Sequence, residues 1–207
     1  MTSPGQIFTL FLLSLTAVLS SACLSQPHPA LKYFTLETKP ETFPGADIPA
    51  PNRRTLLIGT VTTTENSDGQ ALIYRLGDNH YEPDFYNVFI APPVRLLADT
   101  ETQHLNRTSH RLRVVDSPGL TLADFGLETY IEALHGDYRP TPPLAVLNLR
   151  FTLNDLRPTQ SRVVLDKTYP CLWPLKNVTP DGLVAALSLC LTDSLNRLVR
   201  ELDEVAH

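Results

Sequence analysis

Cysteine offers the most direct chemistry in this sequence, at Cys23, Cys171 and Cys190. Cys23 follows Leu19-Ser20-Ser21-Ala22, which closes a thirteen-residue apolar run over 7–19. Small residues at Ser21 and Ala22 suit a peptidase that holds the chain extended in a narrow cleft, and the thiol just beyond them is available for thioether acylation. Cys171 and Cys190 then remain as a pair. In an oxidising compartment they would form one disulfide closing a loop of about twenty residues, a stabilisation on the order of 3 kcal/mol. Two buried thiols packing as small hydrophobes are the alternative. Spacing alone does not choose between them.

Other reactive side chains lack the spacing that chemistry requires. His28, His80, His104, His110, His135 and His207 form no H-x-x-H or H-x-x-x-H pair, and no Cys-x-x-Cys occurs, so no zinc motif is present. A phosphate-cradling glycine loop, a dinucleotide fingerprint and a nucleophile elbow around serine are also missing. Glu128 and Glu132 would share a strand face, which a solvated surface explains. The sequence therefore predicts no catalytic centre, no cofactor and no metal, although catalytic groups scattered along a chain can still converge.

The apolar run is too short for the ~20 residues of a spanning helix. It fits an export signal's core of roughly 7–15 residues. Together with Cys23, Leu19-Ser20-Ser21-Ala22-Cys23 resembles the bacterial lipoprotein signal, with Ser20 where Leu is usual and no Lys or Arg in residues 1–6. This predicts a signal peptide over 1–22, a lipidated tether over 23–30 and a domain over 31–207. An ordinary signal cleaved near Ala22 and a buried amino-terminal helix are the competing readings.

Composition bounds the remainder. Of the 207 residues, 43% are apolar and 19% charged, as expected for a globular domain and not for a disordered or membrane-embedded chain. The net charge of −5 and the lack of a Lys/Arg stripe argue against nucleic acid as partner. Eighteen prolines punctuate the periodic segments.

Strands are expected at 32–36, 56–64 and 72–76. Tyr81, Phe85, Tyr86 and Phe89 read as a core-facing segment entering a helix that starts at Pro93 and runs to about Asn106, with Arg95, Asp99 and Gln103 facing solvent. After a short strand at 112–115, segments 124–138, 145–156 and 161–169 form an antiparallel meander. The first of these has helix formers too, but its period-two face runs longer. Residues 171–174 read as an irregular connection. Thr179-Pro180-Asp181 starts a long helix whose Val184, Leu187, Leu191, Leu195, Leu198, Leu202 and Val205 face a core. The expected class is α+β: a mainly antiparallel sheet with a central helix and a long C-terminal helix packed on one face.

Several of these stretches occur together: Cys23, then Lys32-Tyr33-Phe34-Thr35-Leu36, Ala71-Leu72-Ile73-Tyr74-Arg75, Asp84-Phe85-Tyr86, Leu134-His135-Gly136-Asp137-Tyr138 and Ala145-Val146-Leu147. Over residues 31–205 the chain resembles the ABC-type transport auxiliary lipoprotein family, the PqiC-like components of MCE lipid-transport systems. The resemblance implies a non-catalytic periplasmic lipoprotein carrying palmitate-type acyl chains on Cys23 and attached to the outer membrane. Leu24 after Cys23 favours that membrane over the inner one, and a soluble periplasmic form is the other option. Its implied partners are an MCE-domain protein, an ABC permease and ATPase, and phospholipid or another hydrophobic compound as cargo. A lipid-binding or assembly lipoprotein without a transporter, and a secreted enzyme, are the alternatives.

Overall fold

The computed structural model describes residues 30–39, 53–63, 69–115, 122–158 and 162–206. The expected signal peptide, Cys23 and nearly all of the tether lie outside the described residues. In chain order the elements are β1 (Lys32–Phe34), β2 (Arg54–Thr63), β3 (Ala71–Arg75), β4 (Tyr81–Phe89), α1 (Pro93–Thr108), β5 (Leu112–Val115), β6 (Phe125–Asp137), β7 (Leu144–Asp155), β8 (Arg162–Pro174) and α2 (Pro180–Val205).

The strongest alternation in the sequence forms the centre. β6, β7 and β8 pair antiparallel, with Leu127 opposite Leu153 and Leu153 opposite Leu165. Leu147, Leu149, Phe151 and Leu153 lose all or nearly all solvent contact, so one face of β7 is core. On the other face Arg150 grips Asp166 across the strands through two hydrogen bonds of 2.6 and 2.7 Å. Residues 171–174, expected to be irregular, continue β8 instead. Pairing of Leu144 to Pro174 through Leu147 to Cys171 accounts for this, because β7 offers hydrogen-bond partners along its full length.

The opposite edge of β6 corrects the expected strand directions. β2 runs parallel to β6 from Leu56 opposite Phe125 to Thr63 opposite Ile131. β3 then joins the same edge, also parallel, at Tyr74 opposite Gly136. β5 extends the sheet parallel to β2, β4 lies antiparallel to β3, and β1 runs parallel to β4. The sheet is therefore mixed. Parallel neighbours need a long crossover, and alternation within a strand says nothing about its direction.

Both helices cover the apolar face. In α1, Pro93 occupies the first turn, Leu97 and Leu105 are buried, and Arg95, Asp99 and Gln103 face solvent. At the start of α2 the Thr179 hydroxyl accepts a 3.1 Å hydrogen bond from the Gly182 amide. A Cβ on Gly182 would lie 2.1 Å from the Asn177 carbonyl oxygen, so only glycine lets the chain turn this closely. From Val184 to Leu202 the expected stripe is buried against β7 and β8. The helices touch through His104 and Asn196, whose Nε2 and Oδ1 are 3.0 Å apart.

Candidate functional site

Two of the three chemically interesting cysteines are joined: Cys171 of β8 and Cys190 of α2 form a disulfide with Cα atoms 5.5 Å apart. It ties the long helix to the sheet edge and is buried, Cys190 completely. Its place is structural.

The aromatic segment 81–89 departs most from expectation. It forms strand β4, and only Phe89 enters the core, at 2% exposure. Phe85 is 79% exposed, and Tyr81 and Tyr86 are exposed as well. The cause lies in the register. Ala71 pairs with Val88 and Ile73 with Pro83, so four residues of β4, 84–87, stand opposite Leu72 alone. This wide bulge turns the chain outward at Phe85.

Asp84 holds the bulge. One carboxylate oxygen accepts the amides of Tyr86 at 2.8 Å and Asn87 at 2.9 Å; the other accepts the Tyr74 hydroxyl at 2.7 Å and the Asn87 side-chain amide at 2.8 Å. Burial works to raise this carboxyl, but the hydrogen bonds from Tyr74, Tyr86 and Asn87 outweigh it and hold it below its ordinary range. Tyr74 moves the other way, raised by burial and by the Asp84 charge. Tyr74 also meets Tyr138 edge-on, ring centroids 5.2 Å apart. Phe85 is thus presented on a braced support. Phe34 and Phe89 pair in register toward the core, which turns Tyr33 and Val88 to the other face of β1 and β4; Tyr33 is 60% exposed.

The stretch Leu134-His135-Gly136-Asp137-Tyr138 closes the same corner. Asp137 accepts two hydrogen bonds from the Arg139 guanidinium, at 2.9 and 2.7 Å, and that guanidinium also reaches Asp78 at 2.7 Å. Arg139 holds the Asp137 carboxyl down at about 2. His135 is buried against the edge of Tyr81, and burial lowers its pKa.

A cavity of about 220 Å³ lies where the edge of β6 is interrupted. β2 leaves that edge at Ile131 and β3 joins it at Gly136, and between them β6 carries a register shift against β7. Phe89, Ile131 and Leu134 form the buried wall; Pro83 and Gly69 stand at the exposed rim. Among the described residues Thr63 is the one polar side chain on the wall, and its hydroxyl donates to the Ile131 carbonyl at 3.1 Å.

Groups capable of acid–base work are mostly inside. Glu101 is 1% exposed, with its two oxygens 2.9 and 3.1 Å from the Thr129 hydroxyl, and burial raises its pKa to about 8. The Thr129 hydroxyl donates toward both oxygens and so favours the charged form, but burial outweighs it. His104 is fully buried, and burial lowers its pKa. Glu128 and Glu132 lie exposed on β6, as a solvated strand face requires, and Glu132 accepts from Thr168 at 3.1 Å. Among the described residues no three His, Cys, Asp or Glu side chains are grouped to hold a metal. The sequence reading missed Glu101, although its place between Leu97 and Leu105, four residues from each, puts a carboxyl in the apolar stripe of α1.

Comparison with known proteins bears on what this arrangement serves. Residues 34–199 match the family described as the ABC-type transport auxiliary lipoprotein component. No curated protein matches. Among solved structures, protein XCC0632 from Xanthomonas campestris, of family DUF330, superposes with a TM-score of 0.66 at 17% identity, covering 81% of this chain and 92% of its own. An uncharacterised protein gives 0.68 at 17% identity over 84% and 99%. The hypothetical protein CT253 from Chlamydia trachomatis gives 0.56 at 10% identity over 74% and 98%. At these identities the likeness is one of fold.

Proposed function

The chain belongs to the ABC-type transport auxiliary lipoprotein family, and on that premise we propose that it is a periplasmic lipoprotein, anchored through Cys23 to the outer membrane, that docks onto the MCE-domain protein of a lipid-transport system powered by an ABC permease and ATPase. Residues 1–22 are then a signal peptide and 23–30 the lipidated tether of the domain that follows. Such a component localises and joins other parts, which asks for a firm docking surface and no catalytic centre.

The observation that carries this reading is the braced exposure of Phe85. A monomeric domain gains nothing from an aromatic ring held in water on a bulge with a fully hydrogen-bonded aspartate beneath it. A docking surface does gain, because a ring already fixed in place loses little freedom when a partner covers it. Tyr33 on β1 and Tyr86 on β4 are exposed as well. The inward placement of Glu101 and His104 supports a non-catalytic role.

Two measurements test the proposal. In cells, Cys23→Ala is expected to move the protein from the outer-membrane fraction to the soluble periplasm; a variant that stays with the membrane overturns the anchor. A photo-crosslinker at position 85 is expected to capture the MCE-domain protein. Capture of permease, ATPase and MCE protein all failing at that position overturns the docking assignment.

A further inference from the structure

We propose that the cavity between β2, β3, β4, β6 and the start of α1 is a binding site for a single unbranched hydrocarbon chain. The wall of Phe89, Ile131, Leu134 and their neighbours is apolar, no charged side chain lines it among the described residues, and the Thr63 hydroxyl already donates to a backbone carbonyl. A polar headgroup or a water cluster would find no matching set of donors and acceptors there, whereas a hydrocarbon needs none. Size narrows the class further. About 220 Å³ exceeds the roughly 150 Å³ apolar cavity that holds benzene and is below the roughly 300 Å³ at which pockets for drug-sized molecules begin. The space suits the end of one acyl chain with the rest of the lipid outside.

The topology supplies the reason for the opening. Between Ile131 and Gly136 the edge of β6 passes from β2 to β3, and small residues stand on both sides of the gap, Ala71 on β3 and Ala133 on β6. Larger side chains at either position would close it. The assignment of the chain to lipid rests on the transport role proposed above; the chemistry of the wall does not. The hydrocarbon has two sources, a free phospholipid or fatty acid and the acyl chains on this protein's own Cys23.

The test uses the full-length exported chain bearing Cys23→Ala, recovered without detergent and exposed to phosphatidylethanolamine/phosphatidylglycerol vesicles or to palmitate, with native mass spectrometry as readout. One lipid per protein is expected, weakened at least tenfold by Ala71→Phe and by Ala133→Phe in protein that melts normally. No adduct with either probe, or adducts unchanged in both variants, overturns the site. Should both variants misfold, diazirine-labelled palmitate on the Cys23→Ala chain decides: labelling of peptides bearing Phe89, Ile131 or Leu134 supports the site, and labelling elsewhere overturns it. Uptake by the Cys23→Ala chain but not by the acylated protein identifies the protein's own anchor as occupant; uptake by both identifies external lipid. Loss of adduct with position-85 crosslinks intact counts against the cavity alone, and the reverse counts against the docking partner alone.

Discussion

The Tyr74 hydroxyl donates a 2.7 Å hydrogen bond to the Asp84 carboxylate, linking β3 to the bulge of β4 that displays Phe85. Asp84 takes three further hydrogen bonds within the bulge itself. Asp84→Ala is therefore expected to lower stability by about 1–2 kcal/mol through the stranded donors. It should also weaken crosslinking of the proposed MCE-domain partner, because Phe85 loses its support. Unfolding curves and crosslinking yield check both effects, and a destabilised variant with full partner capture would separate the brace from docking.

Phe85→Ser isolates the ring. At 79% exposure the side chain contributes little to the fold, so stability should stay within about 0.5 kcal/mol. Co-purification with the partner should fall at least tenfold. Normal co-purification would place the interface elsewhere on the domain.

Glu101 predicts an unusual pH profile. Its ordinary value is 4.5 and burial holds it near 8 in the folded protein. Below pH 4.5 the folded and unfolded states both carry the proton. Between 4.5 and 8 only the unfolded chain releases it, so stability declines as pH rises, by on the order of 3–5 kcal/mol in all. Asp137 and Asp155, held near 2 by Arg139 and Arg157, act in the opposite sense, adding stability above their unfolded values that is lost as pH falls toward 2. His104 and His135, lowered by burial, work against this slope, because below their ordinary values only the unfolded chain takes up their protons. The Glu101 contribution is therefore read by difference: from pH 5 to pH 8 the urea midpoint should drop more, or rise less, in the native chain than in Glu101→Gln. An unchanged slope in the variant would locate the titration in another group.

The Cys171–Cys190 disulfide closes a loop with a sequence separation of 19 residues. Reduction, or Cys171→Ser with Cys190→Ser, is expected to lower stability by about 3 kcal/mol, roughly 6–12 °C in Tm for a chain of this size. Melting with and without reductant measures it. A double variant that remains sensitive to reductant would point to a different source of the effect.

Local pattern determined much of this protein. The meander of β6, β7 and β8 was legible because alternation at period two is a property of neighbouring residues, and α2 because Thr179 and Pro180 mark its start and leucines repeat along one face. α1 was legible from Pro93 and its stripe for the same reason. Tertiary structure decided what depends on residues distant in sequence. Nothing near β2 or β3 states that both run parallel to β6, and nothing in β8 states that β7 will pair it through Pro174. Phe85 looks like a core residue by type. It points to solvent because β4 has four residues where β3 has one, a mismatch that exists only once the two strands are in register. The cavity has the same origin, a gap left where two strands meet end to end on a third.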